Sequence, residues 1–582
     1  MSRLSFGDDK GHDAELKMLV LKCSLQNAVL HDGKADIGAV IGRVVAENPE
    51  LRESIGKVKN EVAKAVRSVN FISLEEQKRR LEKLAPKTKS LVTLKREKKE
   101  KEKQALPELR DVVLGKVVTR FAPCPSGPLN ILQVLRALML SYLYAKMYKG
   151  EFILRFEDTD PSPGKIEKEY YDMIRDDMKF LGVKWDTEII ESEHMDEFYK
   201  HGQQLIERGF AYVDFTPAEE FRKLKLKKKE PVYRNAGLDE NMKAWKAMLA
   251  GDYKEGRAVL RFKTSMSDPN PAFRDPAILR IAKGKHPHVG GKYCVWPLYN
   301  FANVVEDHDA GVTHVFRGKE HEHNSHIQNK IYKALGWDPP SVMNFGMIYL
   351  PGKKEHTRDI KEKIKAGKYS GWDDPRLHTI AALRRMGFQG KAFHEVAVVV
   401  GHSKSDIKFS MESLETANRR IIDPKSNRYM AVFDPVKISV KGYPHETNFV
   451  TEPLHPDFPR RGIKRLPVDV KSISISKDDW KKLKGKTFRL KGLANIKLTG
   501  RSGTYTGNEI KKTMQKIHWV SKPSLNVELI VPEGDKLVSR KGIGEPAMAK
   551  LKPGDLIQLE RVGFGKVDSV ERGKVRICWT HK

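Results

Sequence analysis

The sequence has 582 residues, with 107 Lys or Arg against 76 Asp or Glu, for a formal net charge of +31 at pH 7. That length exceeds what one hydrophobic core organises, so several domains are expected, and the positive excess favours a polyanionic partner, most often nucleic acid. Four scattered cysteines (Cys23, Cys124, Cys294, Cys578) exclude a disulfide framework and a zinc knuckle and point to a reducing compartment. No apolar run reaches the roughly 18 residues of a membrane span, and the first residues lack an apolar signal core, so a cytoplasmic protein is expected.

Residues 1–105 read as a helical extension. Met18, Leu21, Leu25 and Val29 form one apolar stripe, and Ile37, Val40, Ile41 and Val44 form another. The stretch from Glu75 to Gln104 is dense in Lys, Arg and Glu, a pattern of solvated helix faces and sometimes of RNA-contacting arms. Pro107 marks a domain boundary.

From Val117 to Pro161 the pattern is strand, tight turn, helix, strand. An apolar run ends at Arg120-Phe121, and Pro123-Cys124-Pro125-Ser126-Gly127-Pro128 makes the turn. Leu129 to Met147 carries apolar residues at helical spacing, and Phe152 to Phe156 ends in Glu157-Asp158-Thr159-Asp160. This is the opening of a dinucleotide-type α/β unit, in which ligands sit at strand carboxyl ends and anions at the helix amino terminus. Arg120 is suited to a carboxylate and Glu157 to an ammonium. On position alone, both are also ordinary strand-end surface residues.

Ile166 to Leu181 predicts an amphipathic helix stopped by Gly182, and Ile189-Ile190 a short strand. Residues from about 210 to 288 read as an insertion carrying the basic run Arg222, Lys223, Lys225, Lys227, Lys228 and Lys229. The second half of the α/β fold is expected to return at Val295 to Ala302. His308, His314, His321, His323 and His326 crowd the next stretch; spread over a strand and a loop, they read as polar pocket residues, and no metal is expected. Asp374 to about Pro424 reads as helical. From about 428, short alternating stretches between Gly and Pro (Val436 to Val440, Phe488 to Leu490, Asn526 to Val531, Leu556 to Leu559) predict β-barrels.

Four separated strings resemble the class I glutamyl-tRNA synthetases in their archaeal form: Arg120-Phe121-Ala122-Pro123, Arg155 to Pro161, Gly311 to His321, and Tyr369-Ser370-Gly371-Trp372-Asp373-Asp374-Pro375-Arg376. The resemblance implies a Rossmann-like catalytic domain (106–345) with its acceptor-binding insertion, a helical connecting subdomain (346–427) and carboxy-terminal anticodon-binding barrels (428–582). It implies a glutamate–tRNA ligase that uses ATP, with Mg2+, to form glutamyl-adenylate and charges the 3′ end of tRNA(Glu). Arg120, Glu157, Tyr299 and Arg317 are then the glutamate-binding residues. Two arginines suit a substrate with two carboxylates.

Two family signatures are replaced. Where the family has His-Ile-Gly-His, this chain has Asn130-Ile131-Leu132-Gln133; where it has the lysine of its mobile phosphate loop, this chain has Asp359. Pro128, Asn130, Ile131, Leu132 and Gln133 are expected to line the nucleotide site. Asn130 and Gln133 would offer amide donors to the phosphates. Arg358 would supply the loop cation, with Lys353, Lys354 and Lys361 also in reach. A second expectation follows from the same departures: a catalytically degenerate tRNA-binding relative that keeps the barrels and has lost the chemistry.

Overall fold

The computed structural model describes residues 9–30, 33–84, 106–350, 355–401, 403–444, 448–511, 513–571 and 573–582. The core of the predicted charge run, Lys95 to Lys103, lies outside them. Two compact units divide between Ala105 and Leu106.

The first unit holds helices α1 (Asp9–Leu30), α2 (Ile37–Glu47), α3 (Ile55–Phe71) and α4 (Leu74–Leu84). Val20, Cys23, Val40, Val44, Val58, Val62 and Leu81 bury their side chains together. Of the first expected stripe, Leu25 and Val29 face inward beside Leu16, Val20 and Cys23, whereas Met18 is 60% exposed. Asp36 caps α2 by accepting from the Ala39 amide at 2.9 Å. The buried Gln77 amide donates to the carbonyls of Gly33 (2.9 Å) and Val69 (2.7 Å), tying α4 to the loop after α1.

The second unit is built on a five-stranded sheet, all parallel, from β1 (Val118–Phe121), β2 (Glu151–Phe156), β3 (Thr187–Ile190), β8 (His314–Gly318) and β9 (Ser341–Phe345), in the order β3-β2-β1-β8-β9. The strand order reverses between β1 and β8, where such sheets open a crevice at their carboxyl ends. Helix α5 follows β1 and runs through Ile131–Gln133, a π-helical stretch Val134–Leu138, and Met139–Met147. Its Val134, Leu135, Leu138 and Met139 are fully buried, each contributing about 1.5–3 kcal/mol by burial. Helix α6 (Lys168–Phe180) packs on the same core and ends before Gly182, which takes a left-handed φ of 72°.

Asp177 on α6 is buried and accepts from the Leu129 amide at 3.1 Å, fixing the chain where it enters α5. Burial raises its carboxyl to about 7. The sign follows: between about pH 4 and 7 the unfolded chain releases this proton while the folded chain keeps it, so stability falls as pH rises through that window and is level above it. The full swing is about 4 kcal/mol. Asp177→Asn keeps an acceptor for Leu129; its denaturation midpoint should exceed the parent's at pH 8 and match it at pH 4.

Between β3 and β8 the chain inserts a separate antiparallel sheet, β4 (Ala211–Asp214), β5 (Val259–Phe262), β6 (Ala277–Ile281) and β7 (Val295–Pro297), in that order. This corrects one expectation. Val295 and Trp296 do not return to the parallel sheet but pair with Ile281 and Arg280 and fill the insertion's core. A short apolar run carries no mark of which sheet it joins; the return comes one element later, through helix α10 (Tyr299–Asp309) into β8. Helices α7 (Met195–Glu207), α8 (Ala218–Leu226) and α9 (Leu238–Ala250) flank the insertion, and α11 (Glu322–Leu335) follows β8.

Between β9 and residue 426 the α-helices are α12 (Thr357–Lys365), α13 (Ile380–Met386), α14 (Gly390–Val400) and α15 (Met411–Ile422). The stretch expected to be helical throughout is interrupted by Ile407–Lys408, which pairs in parallel with Ile348–Tyr349. Asp374 accepts from Arg376 and from the Ser370 amide. Burial pushes its carboxyl up, but these bonds outweigh burial and bring it to about 2. The Tyr369 to Arg376 string is therefore a locked turn. The carboxy-terminal part is all-β in character: a six-stranded sheet holds Pro435–Lys441 and Thr487–Leu490, and a seven-stranded sheet holds Leu525–Glu533 and Leu556–Leu559. No helix among the described residues is long and apolar enough to cross a membrane.

Candidate active site

A cavity of about 400 Å³ opens at the carboxyl ends of β1 and β8. Arg120, Glu157, Tyr299 and Arg317 all line it, so the four residues expected to hold an amino acid come together. Strand ends bring three of them, and the first turn of α10 brings Tyr299.

A buried network orients them. Asp307 accepts from Arg120 Nε at 3.0 Å and from Arg155 Nη1 at 2.6 Å. Asn303, one turn earlier on α10, accepts from both guanidiniums and donates to Glu157 Oε1 at 3.0 Å. Burial pushes the Asp307 carboxyl up, but Arg120 and Arg155 outweigh burial and hold it below its usual value. Arg120 thus enters the site with its charge balanced.

Arg317 does not. It is 7% exposed, and its Nη1 and Nη2 donate to Gln328 Oε1 (2.8 Å) and to the Ser325 hydroxyl, both neutral. Its Nε has no hydrogen-bond partner among the described residues. Burial accordingly lowers its pKa. A buried cation without an acid is unfavourable by several kcal/mol, which a bound carboxylate would offset. Burial, then Glu157, raises the Tyr299 hydroxyl to about 12, so it remains a hydrogen-bond donor. The same two causes raise the Cys124 thiol to about 11, which removes it as a nucleophile at neutral pH.

The replaced signatures have become helix caps. Asn130 Oδ1 accepts from the amides of Leu132 (3.0 Å) and Gln133 (3.1 Å), and Gln133 Oε1 accepts from the Asn130 amide at 3.1 Å. This reciprocal box consumes both side-chain oxygens and leaves both NH2 groups as donors. Gln133 lines the large cavity, whereas Asn130 and Pro128 line a second one of about 130 Å³. Leu132 lines both, packs on the core and stands between them; Ile131 is fully buried beneath. Gly127 is needed here for close approach: a Cβ would lie 2.6 Å from Thr357 Cγ2 at the start of α12.

Asp359, at the family's lysine position, accepts from the His356 amide at 3.2 Å and caps α12. That explains an acid there. Arg358 corrects an expectation: it is 88% exposed at its side chain, pairs with Glu362 at 3.3 Å and lines neither cavity. Lys361 is held by Glu167 at 2.8 Å, and Lys353 and Lys354 lie outside the described residues. Arg358→Ala should therefore leave glutamate-dependent ATP–pyrophosphate exchange within about twofold of the parent, as exposed pairs contribute about 0–1 kcal/mol.

The crowded histidines disperse. His308 stacks on Trp337, His326 lies on Phe273, His321 faces Tyr299, and His314 bonds the Arg110 carbonyl at 2.9 Å. A grouping of Glu197, His201 and Asp309 lies outside the cavity, and its Glu197 already pairs with Lys200 at 2.8 Å. Sequence reasoning gave no role to Asn303, Asp307, Ser325, Gln328 or Arg136. For the first four the signal was present as polar residues three or four apart on the helices that follow Leu298 and His321.

A parallel sheet with this crevice, an insertion after its third strand and trailing β domains define a class I aminoacyl-tRNA synthetase. The family model for tRNA synthetases class I (E and Q), catalytic domain, matches residues 116–424. Two models for the anti-codon binding domain of the same class match 426–518 and 516–568. The chain is 43% identical to the glutamate–tRNA ligase of Pyrococcus furiosus, over 98% of this chain and all of that one. It is 42% identical to that of Pyrococcus abyssi, over 98% and all, and 39% identical to that of Methanothermobacter thermautotrophicus, over 97% and 99%. The chain belongs to the family of class I synthetases for glutamate and glutamine.

Proposed function

We propose that this protein is a glutamate–tRNA ligase. One carboxylate oxygen of glutamate attacks the α-phosphorus of ATP, the bond to the β-phosphate breaks, and pyrophosphate leaves. The terminal ribose hydroxyl of tRNA(Glu) then attacks the acyl carbon and AMP departs. The protein supplies position and charge rather than a covalent nucleophile.

The observation that carries the reading is the cavity's charge pattern. Arg120 and Arg317 stand ready for two carboxylates, and Glu157 for one ammonium. Glutamine in place of glutamate would leave Arg317 facing a neutral amide, the same uncompensated state it has alone. Mg2+ would arrive on the ATP phosphates: Glu157 is already engaged by Asn303 and Glu320 is exposed, so the cavity offers few carboxylates of its own. Lys223, Lys227, Lys228 and Lys229 are exposed on and just after α8 and suit contact with the acceptor end of the tRNA.

Purified protein should release pyrophosphate from ATP with glutamate and tRNA and should charge tRNA(Glu). Absence of charging at any glutamate concentration would overturn the proposal. Preference for glutamine would overturn the assignment of Arg317.

A further inference from the structure

The cavity holds a third guanidinium for which glutamate has no use. Arg136 lines it on the wall formed by Gln133 and Ala137, three residues after Gln133 and within the π-helical stretch of α5. Arg136 is 1% exposed. Its Nη1 donates to the backbone carbonyls of Gly346 and Ser403. Its Nε and Nη2 have no hydrogen-bond partner among the described residues, and no carboxylate lies within ion-pair distance of it there. Asp406, which acts on it through space, is committed to Lys319 at 2.8 Å.

Nε and Nη2 form the lateral edge of a guanidinium, the edge that grips two oxygens of one phosphoryl or carboxylate group side by side. Charge accounting in the cavity leaves one role. Glutamate brings two carboxylates for Arg120 and Arg317 and one ammonium for Glu157; the group that then lacks a cation is the reacting phosphate. Among the described residues, no cation of the loop that serves this purpose in the wider family lines the cavity. Arg358 points to solvent with Glu362, Lys361 is held by Glu167, and Lys363 is held by Glu355 at 2.7 Å.

We infer that Arg136 is the phosphoryl-binding cation of this diverged site, gripping ATP and the adenylate through its Nε–Nη2 edge beside the Gln133 amide. The inference rests on the ligase reading and deepens it. A ligand phosphate gives the buried charge the anion it lacks, and Gly346 and Ser403 hold the other edge so that the fork is pre-aimed.

The test uses the full chain with Arg136→Gln and Arg136→Lys. Three quantities are read: basal melting temperature, the shifts induced separately by glutamate and by MgATP, and ATP–pyrophosphate exchange. Arg136→Gln should lose most of the MgATP-induced shift and at least tenfold in exchange while keeping the glutamate-induced shift. Arg136→Lys should recover part of the loss. A purely structural role would lower the basal melting temperature and leave the MgATP increment unchanged. MgATP binding by Arg136→Gln within twofold of the parent would overturn the inference. Should Arg136→Gln fail to fold, Arg136→Met decides, and parental exchange by it together with an unchanged MgATP increment would overturn the inference too. A parent that binds MgATP through Arg136 yet charges no tRNA would sink the ligase reading and leave the cation in place.

Discussion

Arg317→Gln should lower kcat/KM for glutamate on the order of a hundredfold to a thousandfold, because truncating one partner of a buried charged pair costs about 3–4 kcal/mol. The loss should fall on glutamate, with the apparent affinity for ATP unchanged. The fold should not suffer. In the free protein Arg317 is a buried charge against neutral Gln328 and Ser325, so removing it removes an unfavourable desolvation, and the denaturation midpoint should hold or rise. Opposite movement of activity and stability is the mark of a residue kept for its ligand. Parental activity, or a fall in both together, would place Arg317 in the scaffold instead.

Asp307→Ala should do the reverse for stability. Asp307 balances Arg120 and Arg155 at 3.0 and 2.6 Å, and all three are buried. Its removal leaves Arg120 without a carboxylate and Arg155 with only Glu191 at 3.1 Å and Glu157 at 3.6 Å, and should destabilise the catalytic unit by about 3–5 kcal/mol, read as a lowered urea midpoint. Glutamate activation should fall as well, because Arg120 loses the carboxylate that orients its guanidinium. Asp307→Asn keeps the shape and loses the charge; its defect should lie between. Equal stability for parent and Asp307→Ala would show that the network is not the site's support.

The fold was legible where strand ends carry unusual chemistry. Arg120, Glu157 and Arg317 each close a strand, and a parallel sheet must bring strand ends to one edge, so their meeting followed from topology. Tyr299 needed the resemblance, since nothing in its own position marks it. The supporting shell was not legible. Asn303 and Asp307 occupy one face of a helix whose partner, the β1–β2 edge, is more than 140 residues away in sequence. Val295 and Trp296 were misplaced for a similar reason: apolar strands in two sheets look alike until pairing is known. In sequence the replaced signatures look like ligand contacts. Asn130, Gln133 and Asp359 are also good helix-capping residues, and the structure uses them so. A residue type with two uses cannot declare which one it serves, and Arg358 sits in the first turn of a helix where the family resemblance implies a loop.

The π-helical stretch Val134–Leu138 has a consequence of its own. A π turn holds one residue more than an α turn and amounts to an insertion accommodated without breaking the helix. An α-helix advances about 100° per residue, so excising any one residue between 134 and 138 would restore regular winding and turn one half of the helix about its axis relative to the other. With the amino-terminal cap fixed, Met139, Leu140 and Tyr144 would swing out of the core; with the core fixed, the cap would swing off the crevice. The length of this segment is thus constrained to the residue.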